Sequence, residues 1–179
     1  MANGAEWDLG EADALEAEAI GPPGQRRFRL RVTAGGATAA IWCEKEHVSS
    51  LATAIQQQLA RRRQPGEGRR PQAAALSPFP DRPTHEFQLG QLGIDYNDRL
   101  DSLIVYATDV ERSSNQPTLR FALGRQAARA FTVQAEQTVA GGRPTCPLCQ
   151  QPLEGSEHLC PRSNGHDDEA LAGIGPPDF

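Results

Sequence analysis

Arg26 to Thr33 carries the clearest pattern in the chain. Phe28, Leu30 and Val32 fall on one face and Arg27, Arg29 and Arg31 on the other, the two-residue period of a half-buried strand. Ala14 to Ile20 alternates more weakly, and Gly21-Pro22-Pro23-Gly24 between them reads as a turn. A hairpin closed by that turn sets Glu18 opposite Arg27 and Glu16 opposite Arg29, cross-strand pairs worth about 0.2–1 kcal/mol each. Gly35-Gly36 opens a second turn into a strand over Thr38 to Cys43. The period then changes: Val48, Leu51, Ile55 and Leu59 form one helical stripe, with Glu44 and Glu46 at its start and Arg61, Arg62 and Arg63 at its end, as the helix dipole favours.

Further strands are predicted over Phe87 to Ile94, where Gly90 and Gly93 interrupt the alternation as a bulge would, over Leu100 to Thr108, and over Thr118 to Leu123. Gly124 to Ala140 reads as a second helix with Ala128, Phe131, Ala135 and Val139 inward, ended at Gly141-Gly142 by a left-handed cap. The expected fold class is α+β: a mostly antiparallel sheet with two main helices on one face, no internal repeat, and a small C-terminal zinc-ribbon-like module. The expected organisation is a disordered N-terminus over 1–12, an α+β body over 13–142 with a flexible loop or linker at 64–83, a zinc-knuckle module over 143–165, and a disordered tail over 166–179.

Composition narrows the class of function. A hydrophobic content of 38% and a mean hydropathy of -0.54 are low for 179 fully packed residues, and a net charge of -5 excludes a molecule built as a whole to coat nucleic acid. The acidic, Ala-rich start lacks a basic region followed by an apolar one, and no later stretch has the length of a membrane span. A cytoplasmic location is therefore expected, where the four cysteines are reduced or metal-bound rather than paired.

Cys146-Pro147-Leu148-Cys149 followed by His158-Leu159-Cys160 is the cluster whose spacing dictates chemistry. Two thiolates two residues apart grip one ion from a tight turn, and a His and a Cys one residue apart in extended backbone point to the same side. Cys146, Cys149, His158 and Cys160 thus complete a structural Zn²⁺ tetrahedron, although His166 also fits as the fourth ligand by spacing. Pro152 and Gly155 argue against the helix that a thioredoxin-like motif requires. A closed four-ligand site leaves no open position for catalysis.

Other candidates read as structural. Asp95, Asn97, Asp98 and Asp101 suggest a calcium loop, but Tyr106 stands where its terminal Glu belongs, so an Asx-type turn is expected. Cys43 reads as a buried thiol, and His47 and His85 have no nucleophile or carboxylate partner at motif spacing. The arginine rows read as a solvated sheet face and a helix terminus rather than as phosphate sites.

The C-terminal motif also carries a resemblance. Ala128-Arg129-Ala130-Phe131, Gly142 to Cys149, Gln151-Pro152-Leu153, His158 to Arg162 and Asn164-Gly165 resemble the end of a bacterial family of uncharacterised proteins, the domain of unknown function 3090. Gly21 to Gln25 and Glu44-Lys45 with Val48 and Leu51 resemble its N-terminal half, so the similarity covers roughly Ala14 to Gly165. In that family Tyr commonly follows the final Asn-Gly, where this chain has His166, which favours His158 as the ligand; Gln150 stands where the family usually has Gly. The resemblance implies no assigned activity. It implies shared phosphate metabolism or a complex with a protein partner, because members are often encoded beside a lipid-kinase-like and a histidine-phosphatase-like protein. The expected function is a non-enzymatic zinc adaptor with a protein partner and no membrane association. The alternatives are a nucleic-acid-binding zinc knuckle using Arg129, Arg143 and Arg162, and an enzyme linked to phosphate metabolism.

Overall fold

A computed structural model describes residues 4–22, 24–62, 71–72, 75–112 and 116–141. Its strands are β1 (Trp7–Ala12), β2 (Ala14–Ile20), β3 (Arg27–Ala34), β4 (Ala37–Cys43), β5 (His85–Asn97), β6 (Ser102–Asp109) and β7 (Leu119–Gly124). Its helices are α1 (Lys45–Arg61), between β4 and β5, and α2 (Arg125–Ala140), after β7. The fold is α+β, but the sheet is mixed rather than mostly antiparallel. Its order is β1-β7-β6-β5-β4-β3-β2, with β1 parallel to β7 and β4 parallel to β5. Helix α1 is the crossover that lets β4 and β5 run in the same direction.

Several expectations are corrected. The N-terminal segment expected to be disordered through residue 12 forms β1 from Trp7, satisfied by pairing with β7. The first hairpin pairs Glu18 with Arg29 and Glu16 with Arg31, two residues away from the expected register, because Gln25 and Arg26 join the turn. Gly141 caps α2 with its N–H on the Gln137 carbonyl at φ -65, and Gly142, the other half of the expected left-handed cap, lies outside the described residues. Part of the expected flexible loop is tied down: the Ser77 N–H donates to Glu16 at 2.8 Å, and Phe79 lies under Arg31. Gly35 and Gly36, at φ 54 and 95, do make the expected tight turn, with Ala34 paired to Ala37.

The pairing scheme occurs twice, although no repeat was expected. The β1–β2 segment pairs first in parallel with β7 and then antiparallel with β3. Likewise β5 pairs first in parallel with β4 and then antiparallel with β6. Each long strand breaks between its two modes, one at Asp13 and the other at the bulged Gly90.

Both helices contribute to one core. Val48, Leu51, Ile55 and Leu59 of α1 and Ala128, Phe131 and Ala135 of α2 meet Leu30, Ile41, Val105, Phe121 and their neighbours from the sheet. Ala17 is fully buried opposite Leu30, and its N–H and C=O have a side-chain partner. The N–H donates to Gln134 Oε1 at 2.8 Å and the carbonyl accepts from Gln134 Nε2 at 2.6 Å, so one amide of α2 plays the part of a neighbouring strand. Thr138 adds a 3.2 Å bond to the same carbonyl.

Two outcomes follow in urea denaturation. Gln134→Leu leaves the buried Ala17 N–H unpaired and should cost about 1–3 kcal/mol; an unchanged midpoint would show that the amide contributes nothing. Gly90→Ala puts a Cβ 2.9 Å from Val110 Cα and should cost about 1–3 kcal/mol, whereas a neutral result would mean that the bulge yields freely.

Candidate functional site

Cys43, His47 and His85 are each engaged within the fold. Cys43 ends β4 with its thiol buried; desolvation first, and the neighbouring Glu44 charge second, push it up to about 12. His47 Nδ1 accepts the Glu44 N–H at 3.1 Å and helps to cap α1. His85, at the start of β5, stacks on Trp7 of β1 at 4.3 Å, and its partial burial lowers its pKa. Asn97 Oδ1 accepts from the N–H groups of Arg99 and Leu100 at 3.0 and 3.2 Å, the expected Asx-type turn.

Arg29 and Arg31 of the β3 row are neutralised in place, and Arg31 is buried rather than on the solvated face expected of it. Arg29 pairs with Glu18 at 2.5 Å, and Arg31, 4% exposed, pairs with Glu16 at 3.3 Å and Glu18 at 3.7 Å. Trp42 and Phe79 interleave with the guanidinium groups: Arg27 lies 4.2 Å from the Trp42 ring and Arg31 lies 4.6 Å from that of Phe79. At the helix terminus, Arg62 pairs with Asp98 at 2.9 Å and lies 4.1 Å from the Tyr96 ring.

One cluster escapes sequence reasoning because its members are far apart in the chain. Arg125, the first residue of α2, donates through Nε to Asp101 Oδ2 at 3.2 Å and through Nη2 to Asp101 Oδ1, the Arg62 carbonyl and the Tyr96 hydroxyl at 2.8–3.2 Å. The Tyr96 hydroxyl also donates to Asp101, and burial followed by that bond raises its pKa. The cluster ties the end of α1, the β5–β6 turn and the start of α2. Beside it opens a cleft of about 580 Å³, lined by Glu11, Asp13, Gly124, Arg125, Gln126 and Ala130. Asp13 accepts the Gly35 N–H there at 2.8 Å, so two of the cleft's charged side chains already serve the fold.

Among the described residues, no group of three or more His, Cys, Asp or Glu could hold a metal ion. The predicted ligands Cys146, Cys149, His158 and Cys160, the competing His166, and Arg143 and Arg162 lie outside the described residues. Of the proposed basic patch only Arg129 is described, half-buried on α2 beside a second cleft that it shares with Pro71, Arg125 and Gln126.

The profile of a family described as protein of unknown function (DUF3090) matches residues 7–160. The chain belongs to this family. No curated protein and no solved structure matches it. The DUF3090 match begins on the first residue of β1 and ends on Cys160, so it spans the body and all four predicted ligands but not His166.

In the native DUF3090 body the Cys43 thiol should resist a maleimide at pH 8 and react only after unfolding in guanidinium. Peptide mapping reads this directly, and prompt native labelling at Cys43 would contradict the burial described.

Proposed function

We propose that the protein is a zinc-binding, non-enzymatic adaptor. In this reading Cys146, Cys149, His158 and Cys160 hold one structural Zn²⁺ in a small ribbon-like module, and the chain offers its surfaces to a protein partner in the cytoplasm. The observation that carries the reading is the ligand spacing itself, which lies inside the family match and ends with it at Cys160. His166 falls outside the match, which favours His158 as the fourth ligand.

The body supports a role without catalysis. Cys43 is held protonated, His47 caps a helix and His85 is stacked, so the groups most often recruited as nucleophile or base serve the fold. The paired arginines weaken the nucleic-acid alternative, because Arg29 and Arg31 already face carboxylates. Among the described residues, no helix is long and apolar enough to cross a membrane. The partner class favoured is a kinase-like or histidine-phosphatase-like protein.

Protein purified without chelator should contain one zinc per chain, read by elemental analysis, and Cys149→Ser should lose it. Sites of this kind contribute on the order of 10 kcal/mol in isolated zinc-finger peptides. The body should nonetheless keep its cooperative unfolding, since it has a core of its own. Absence of stoichiometric zinc would remove the metal reading. Co-purification from the native cell should recover a protein partner; salt-sensitive binding to mixed RNA and DNA in place of it would replace the adaptor by the nucleic-acid module.

A further inference from the structure

We propose that the body is a fused pair of βββα halves, each serving as the binding partner that completes the other. The first half runs from the β1–β2 strand through β3 and β4 to α1, and the second from β5 through β6 and β7 to α2. The register supports this more strongly than the element order alone. Setting Thr38 on Thr118 superimposes the pair Ala39–His85 on Leu119–Trp7, the pair Leu30–Ile41 on Val105–Phe121, and the pair Ala17–Leu30 on Ile94–Val105. The parallel and the antiparallel pairings therefore arrive at one common alignment. Any other offset between the halves breaks it.

The same alignment extends beyond the sheet. It puts the break at Asp13 on the bulge at Gly90, and the first residue of α1, Lys45, on the first residue of α2, Arg125. It also puts the buried Val48, Leu51, Ala52 and Ile55 on the buried Ala128, Phe131, Thr132 and Ala135. At an approximate two-fold axis a position meets its own counterpart, and Trp7 and His85, which are counterparts, stack face to face at 4.3 Å and 25°. The two helices likewise pack against each other. Loops of different length hide the repeat in the sequence, and divergence hides it further: Gln134, which satisfies Ala17, corresponds to Ala54.

Each half alone is incomplete. Without the second half, β1 lacks β7, β4 lacks β5, and the stripe of α1 loses that of α2. Exposed strand edges and an open core of this kind demand a partner, and the partner here is the other half of the same chain.

The test uses the full chain carrying a specific protease site between Gly66 and Glu67, with Trp42→Phe so that Trp7 is the remaining tryptophan. After cleavage the two fragments should co-elute at the volume of the uncut protein. Separated in guanidinium and diluted singly, neither should regain cooperative unfolding. Mixed at equal concentration, they should recover the helical circular dichroism and the Trp7 emission of the uncut control. A single fragment that folds alone as a monomer would overturn the proposal, as would a mixture that stays unfolded while the uncut control refolds. A circular permutant running from residue 71 to 179 and then, through a flexible linker, from 4 to 62 gives a second reading: cooperative unfolding supports the paired halves, and its absence counts against them.

Discussion

The structure depends on a single-residue link. Strands β1 and β2 occupy opposite ends of the strand order, yet only Asp13 separates them in the chain. An open, flat sheet cannot meet that condition, so the sheet must curl until its ends come together. Asp13 is fixed at the junction from two sides: its N–H donates to the Thr33 carbonyl at 2.7 Å, and its carboxylate accepts the Gly35 N–H. The positive φ of Gly35 and Gly36 lets the β3–β4 turn come close enough to supply that second bond.

Closure creates the problem that α2 solves. Beyond Asp13 the chain leaves β7 and pairs with β3 alone, so the side of Ala17 away from β3 has no strand beside it while being fully buried. Unpaired backbone groups there would be costly, and the Gln134 amide supplies both a donor and an acceptor in the spacing of a strand. The Tyr96–Asp101–Arg125 cluster performs a related task at the other end of the helix pair, joining the termini of α1 and α2 to the β5–β6 turn.

The same economy bears on function. The body uses Cys43, His47, Arg29 and Arg31 to hold strands and helix ends in place, which is the support the proposed adaptor role draws from it. That agrees with a metal site whose proposed role is to clasp a short segment.

Much of the body was legible in the sequence, because local periodicity reports local structure. The two helical stripes, the Gly35-Gly36 turn, the Asx turn at Asn97 and the buried Cys43 each depend on neighbours within a few residues. Cys146, Cys149, His158 and Cys160 stand out for a similar reason, since ligand spacing is itself a local signal. What tertiary structure decided is everything that depends on distant pairing. The parallel contacts of β1 with β7 and of β4 with β5, the two-residue shift in the first hairpin, the cluster around Arg125 and the repeated halves leave no periodic trace. Strand partners are chosen by closing the sheet and burying the shared core, and those conditions act on the whole chain at once.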